Sequence, residues 1–248
     1  YDLKRPNNDV WRTTGSFLGI RYFEVSEGNL ELLTARTGPR LSLDDEEFGP
    51  KFRPYLDVTH LSVDDSSLYF QGMLGGEYTQ TLSSFWSMFA DVSTGYRNLT
   101  DNELDGFDNF RAEGEIGVAY IPTRDVVFRS SLLLQQEVAD EFENTNTEIG
   151  GRFGVEYQYF PGLKFIDTKW RAGGLLDLRG RFFPGAQRSL GVADSRQDLD
   201  ISAGFTHVFG LTEQFALQFD VTSLVRKSNI QNFELDNVSL SLSGVFKL

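Results

Sequence analysis

Apolar and polar residues alternate one by one through most of this chain. The last twelve residues show it most cleanly: Val238, Leu240, Leu242, Gly244, Phe246 and Leu248 share one parity, and Ser239, Ser241, Ser243, Val245 and Lys247 share the other. A period of two belongs to an extended strand, whose side chains point alternately to opposite faces. One greasy face and one small or charged face predict a strand between lipid and a polar interior.

The pattern recurs in segments of about ten residues, the length a tilted strand needs to cross a bilayer. About twelve such segments fill the chain after a polar lead-in, Tyr1 to Arg12, which is expected on the periplasmic side. Segment one centres on Gly15–Val25, with Leu18, Ile20 and Tyr22 on the apolar face and Gly19 and Arg21 on the polar one. In Leu30–Leu43 the polar face carries Arg36 and Arg40, and in Phe52–Val63 it carries Arg53, Tyr55, Asp57 and Thr59. Tyr69–Thr81 places Gln71 and Glu77 inward, Phe85–Arg97 places Asp91 and Arg97 there, and Phe110–Ile121 places Arg111, Glu113 and Glu115. Val126–Glu137 is blurred by three leucines in a row, Leu132 to Leu134, although Arg129 falls inward. Glu148–Tyr159 turns Arg152 and Glu156 inward, and Thr168–Phe182 turns Arg171, Asp177, Arg179 and Arg181 inward. Asp198–Val208 shows Ile201, Ala203 and Phe205 outward, and Phe215–Arg226 sets Asp220 opposite Leu217, Phe219 and Val221. The twelfth segment is the one at the chain's end.

The turns alternate in length. Thr81–Phe85, Pro122–Asp125 and Gly210–Gln214 are short, whereas Thr100–Asn109, Val138–Thr147, Phe183–Gln197 and Lys227–Asp236 are long and polar. Short periplasmic turns and longer outer loops are the known asymmetry of membrane barrels. Two connections fit that asymmetry poorly, Glu24–Asn29 and Asp44–Lys51. Aromatic residues crowd the segment ends, as at Phe85–Trp86 and Tyr157–Phe160, where rings with one dry and one wet side suit a membrane interface.

The expected fold is therefore all-β: a transmembrane antiparallel up-and-down β-barrel of about twelve strands over residues 13–248, with both termini periplasmic. The alternative is a soluble β-sandwich, whose strands also alternate. A sandwich gives no reason to keep charges on one face of nearly every strand.

Composition narrows the reading. No run approaches the ~18 apolar residues of a membrane helix. The absence of cysteine removes disulfide and thiolate chemistry. A net charge of −13 argues against nucleic acid as a partner. The inward face is nonetheless net positive, so the negative charge sits mostly in loops and turns. Both signs on facing strands predict a lattice of ion pairs that ties the barrel together and lines its lumen. The candidate site is that lattice, Arg21 through Asp220 as assigned above, and no cofactor is expected.

Other clusters carry less. Asp101, Glu103, Asp105 and Asp108 are hard oxygen ligands of the kind Ca²⁺ takes, but their spacing does not match an EF-hand. Asp44 to Glu47 read the same way. The two histidines, His60 and His207, lie toward opposite ends of their strands, and no nucleophile motif accompanies either, so no enzyme is expected.

The stretches TARTGPRLSL (Thr34–Leu43), KFRPYL (Lys51–Leu56) and SNIQNFELDNVSLSLSGVFKL (Ser228–Leu248) resemble outer-membrane β-barrel domains, most of all C-terminal barrels that follow a periplasmic tetratricopeptide array or FecR-like module. The surface-lipoprotein assembly modulators share that layout. The chain ends in Leu248 where this class usually has Phe. The resemblance implies a bacterial outer-membrane location, with lipid and lipopolysaccharide around the barrel and a periplasmic partner or fused domain beneath it. It leaves three functions open: a channel or export conduit, a plugged barrel that anchors a periplasmic domain, and a barrel that translocates a polypeptide or lipoprotein.

Overall fold

The computed structural model describes residues 2–4, 10–20, 29–44, 48–64, 66–100, 107–162, 168–186 and 194–246. They form one antiparallel sheet in which every strand pairs with its neighbours in sequence. The order is β1 (Asp2–Lys4), β2 (Val10–Ile20), β3 (Leu30–Ser42), β4 (Lys51–Val63), β5 (Ser66–Thr81), β6 (Trp86–Leu99), β7 (Asn109–Thr123), β8 (Val126–Ala139), β9 (Asn146–Tyr159), β10 (Trp170–Ala186), β11 (Ser195–Gly210), β12 (Phe215–Ser228) and β13 (Leu235–Phe246). Twelve strands are long, as the alternation predicts, and β1 is a three-residue addition. This is an up-and-down barrel. It curls far enough for Phe89 of β6 and Thr222 of β12 to line one cavity.

The turns are made by the residues that favour them. Leu82 N–H donates to Trp86 at 2.8 Å, and Leu211 N–H donates to Phe215 at 3.0 Å, closing tight hairpins. The hydroxyl of Thr212 accepts the Phe215 N–H at 2.9 Å, a local side-chain bond that competes with strand continuation. Asp64 sits at φ +50°, a left-handed conformation that aspartate tolerates. Its carboxylate takes the Asn29 N–H at 2.9 Å and its own N–H returns to the Asn29 carbonyl at 2.8 Å, which ties two connections together.

Three differences from the sequence reading have physical causes. First, β2 starts at Val10, inside the expected lead-in, because Trp11 Nε1 donates to Thr37 at 3.0 Å and the Thr13 and Thr37 hydroxyls meet at 2.8 Å. Its register sets Phe17 opposite Leu33 and Ser16 opposite Thr34. Odd positions therefore face outward in β2, reversing the parity expected for segment one. Second, several loops read as long are shorter, because strands run on into them: β10 to Ala186 and β11 from Ser195. Third, beyond the Asp44–Lys51 stretch already marked as an exception, the connections at the end shared by the start of β2 and the finish of β13 are not uniformly short. Residues 43–50 and 160–169 separate strands there, whereas β4 and β5 at the other end are separated by residues 64–65 alone.

The two faces differ in kind. Leu240 is 68 % and Phe17 66 % exposed, and Leu74, Ile116, Leu132 and Leu178 look outward with them. Buried positions are mostly polar or charged, among them Ser93 and Glu148 at 3 % and Asp198 at 4 %. Two lumen rings pack over glycines of the next strand. A Cβ on Gly75 would lie 2.4 Å from the Tyr55 ring, and one on Gly117 would lie 2.4 Å from Phe89. Only glycine permits either approach.

Outward aromatics collect at the end where β2 starts and β13 finishes. Trp86 packs at a tilt against Tyr120 with centroids 4.7 Å apart, and Trp170 meets Phe209 edge-on at 5.0 Å. His207 belongs to this belt. Its Nε2 is 2.7 Å from the Tyr159 hydroxyl and its ring lies 4.1 Å from Phe209.

Candidate functional site

The concave face carries the site, and the sheet register builds it. In an antiparallel pair, directly opposed residues share a face with their Cβ atoms about 5 Å apart. An Arg opposite an acid can therefore form a pair without either backbone moving. Arg36 is opposed to Asp57, Arg152 to Asp177 through β9 and β10, Arg181 to Glu148, Arg179 to Asp200 and Asp200 to Arg226.

Two neighbouring groups of ion pairs and hydrogen bonds result. The first spans β3 to β6. Arg36 Nε donates to Asp57 at 2.8 Å and its guanidinium lies 3.7 Å from Asp91, two strands further on. Tyr55 donates to the other Asp91 oxygen at 2.5 Å, and Arg36 sits over the Tyr55 ring at 4.1 Å. Arg53 reaches Glu77 at 3.7 Å.

The second spans β5 to β12. Arg97 donates to Gln71 at 3.0 Å and approaches Glu137 at 4.0 Å. Arg111 binds Glu113 at 2.7 Å, Gln135 at 2.7 Å and Glu137 at 3.4 Å, and Ser93 donates to Glu113 at 3.0 Å. Glu115 takes the Ser131 hydroxyl at 2.5 Å and faces Arg152 at 3.6 Å. Arg152 and Arg179 share Asp177 at 3.1 and 2.7 Å, while Arg179 and Arg181 share Glu148 at 3.1 and 2.6 Å. Arg226 closes on Asp200 at 2.6 Å. Ionised donors and acceptors give the strong hydrogen bonds, and sharing lets each buried charge fill several of its sites.

Of the residues assigned to the lattice from sequence, the structure brings most into these groups. Arg171 and Glu156 sit apart from them as a looser pair at 4.0 Å. Asp220 has no cation partner among the described residues and is held by the Thr206 hydroxyl at 2.6 Å and Gln218 Nε2 at 3.0 Å. Arg21 lies outside the described residues.

Sequence reasoning missed Glu137, Arg226, Arg196 and Asp198. Arg226 shares the parity of Gln218 and Asp220, so its signal was present. Glu137 shares the parity of Arg129 but follows the leucine run. Arg196 binds Asp198 at 2.6 Å and lies between the Phe183 and Phe233 rings at 4.3 and 3.5 Å. It fell in a stretch read as loop.

The weaker candidates resolve differently. Asp101, Glu103, Asp105 and Asp45 to Glu47 lie outside the described residues. Asp108 ends a hairpin, accepting the Leu99 N–H at 2.5 Å and Asn98 Nδ2 at 2.8 Å. No cluster of three or more His, Cys, Asp or Glu suited to a metal occurs among the described residues. His60 bonds Ser67 Oγ at 2.9 Å, far along the chain from the aromatic belt that holds His207.

Cavities follow the lattice. One of about 610 Å³ is lined by Arg40, Glu77, Asp91, Glu115 and Arg129, and another of about 520 Å³ by Glu115, Arg129, Arg152, Arg171 and Thr206. A third, of about 300 Å³, lies between Arg36, Asp91, Glu113, Glu148 and Arg179. Glu115 borders all three.

No protein-family model matches the chain, and no curated protein matches it. Among solved structures, the chain is similar to the KdgM porin, at 10 % identity and a TM-score of 0.46, covering 97 % of this chain and 99 % of that one. It is also similar to OprD of Pseudomonas aeruginosa, at 11 % identity and a TM-score of 0.46, covering 97 % of this chain and 67 % of that one. The fold itself is read from the strand order and pairing described above.

Proposed function

We propose that this chain is a barrel of a Gram-negative outer membrane that conducts small polar solutes through an Arg- and acid-lined lumen. The observation that carries the reading is its inverted polarity. Polar and charged side chains fill most of the buried positions, while leucine, isoleucine, valine and phenylalanine cover the outer face. In water such a surface is unfavourable, at roughly 25 cal/mol for each Å² of apolar area left exposed. In lipid it is the favourable arrangement, and a sheet survives there only as a barrel. The aromatic belt around Trp86, Trp170 and Phe209 supports one membrane interface at that level. That end is assigned to the periplasm, which places the connections carrying Phe142–Asn144 and Gln231–Phe233 outside.

Solute passage rests on the three cavities that share Glu115 as a lining residue. The purified protein in a planar bilayer is expected to give steady single-channel conductance. A second reading, a closed barrel that anchors a periplasmic partner, draws on the reach of Arg36 across to Asp91, which narrows the lumen. Correctly inserted protein that stays silent would replace the channel with that anchor. The face assignment has its own test. Leu240→Arg puts a cation on the outer face of β13, at a cost of about 2–4 kcal/mol at mid-bilayer, and is expected to block membrane assembly. Normal insertion of this variant would refute the outward face.

A further inference from the structure

We infer that Arg40 and Arg129 form the selectivity element of the lumen and favour small oxyanions, carboxylates or phosphate, over cations. The inference rests on the channel reading and goes beyond it by naming the residues and the solute class.

Both residues line the same 610 Å³ cavity, and Arg129 also borders the 520 Å³ one. Both stand at the end of the barrel where β2 begins: Arg40 lies two residues before the end of β3, and Arg129 three after the start of β8. Among the described residues neither has a carboxylate within ion-pair distance. The register explains Arg129, since the positions directly opposed to it are Ala119 and Gly154. Arg40 is opposed to Val10.

The acids that share the cavity already have donors. Asp91 holds Tyr55 and Arg36, Glu77 holds Arg53, and Glu115 holds Ser131 and Arg152. Among the described residues, two guanidinium groups are thus left with free donors. Guanidinium stays charged at any working pH, and its planar fork matches the two oxygens of a carboxylate or phosphate. A pair of such groups in a walled cavity raises the local concentration of anions. Arg179 and Arg181, though equally inward, are held by Asp177 and Glu148 and offer less to a passing solute.

The test is the reversal potential of single channels in a KCl gradient. Wild-type protein is expected on the anion-selective side. The double variant Arg40→Gln with Arg129→Gln should conduct, which shows that it has folded, and its reversal potential should move toward the cation side. Arg129→Lys should keep most of the wild-type value. Arg124→Gln removes a cation from the exposed turn between β7 and β8 and should leave the value unchanged. Replacing chloride on one side by acetate or by phosphate then separates the sources, because the better-carried anion names the solute. A conducting double variant with the wild-type reversal potential overturns the inference while leaving the channel reading intact. So does an Arg124→Gln shift of equal size. A silent wild-type bilayer removes both readings.

Discussion

Two stretches of the inner wall carry the same residue type to different ends. Along β9 to β12, Arg152, Arg179, Arg181 and Arg226 each hold a carboxylate at 2.6–3.1 Å. On β3 and β8, Arg40 and Arg129 hold none among the described residues. Hydrophobicity, side-chain length and inward orientation do not separate the two groups. What separates Arg152 and Arg181 from Arg129 is the residue that the neighbouring strand presents at the opposed position: Asp177 for Arg152, Glu148 for Arg181, but Ala119 and Gly154 for Arg129; Arg179 instead takes Asp177 of its own strand and shares Glu148. An arginine becomes a strut or a solute-facing group according to register, and register is fixed by a face pattern that nothing local can shift by one residue.

The contrast can be broken at the paired stretch first. Asp177→Ala strips a carboxylate that is 8 % exposed from two guanidinium groups. Because those partners are about a third exposed, the loss expected is about 2–3 kcal/mol rather than the larger cost of a fully buried pair. A lower urea midpoint for unfolding from lipid vesicles checks it, and an unchanged midpoint would deny the lattice a structural role. Tyr55→Phe comes next. It removes the 2.5 Å bond to Asp91 but keeps the ring over Gly75, and should cost about 1–2 kcal/mol in the same assay. Arg129→Gln should lie within about 0.5 kcal/mol of wild type, since no strut is lost. Ala119→Glu sharpens the contrast by the smallest step. Placing an acid opposite Arg129 should add at most about 1 kcal/mol of stability. It should also turn Arg129 into a strut, so that the reversal potential moves toward the cation side without any arginine being removed.

Much of this was legible in the sequence. The alternation of Val238 to Phe246 fixed one face, and the same logic located Arg36, Asp91, Arg152 and Asp177 on the interior before any pairing was known. The failures are specific. In β2 the apolar residues Phe17, Leu18 and Ile20 occupy both parities, so composition alone favoured the wrong one until pairing with Leu33 settled it. The leucine run in β8 hid the fact that Leu133 shares the inward parity of Glu115 and Gly150 while Leu132 and Leu134 face out. Arg196 lay in a polar stretch with Asp194 and Gln197, and polarity there reads as loop. Its burial depends on Phe233, thirty-seven positions away, a contact no local window contains. Which arginines lack a partner was illegible for the same reason, because register between strands is a long-range property.

The strictly sequential order of the strands also bears on how the molecule is made. Each hairpin can add to the one before it without threading or crossing, so the chain can grow its sheet in order of synthesis. Yet every incomplete sheet presents an unpaired backbone edge, and in hydrocarbon each unmet N–H or C=O costs roughly several kcal/mol. Stepwise insertion, one hairpin after another, would pay that penalty at every stage. On the membrane reading proposed above, assembly therefore has to keep the growing edge out of the lipid, either by folding at the membrane surface before insertion or by resting the edge against another sheet until the last strand arrives.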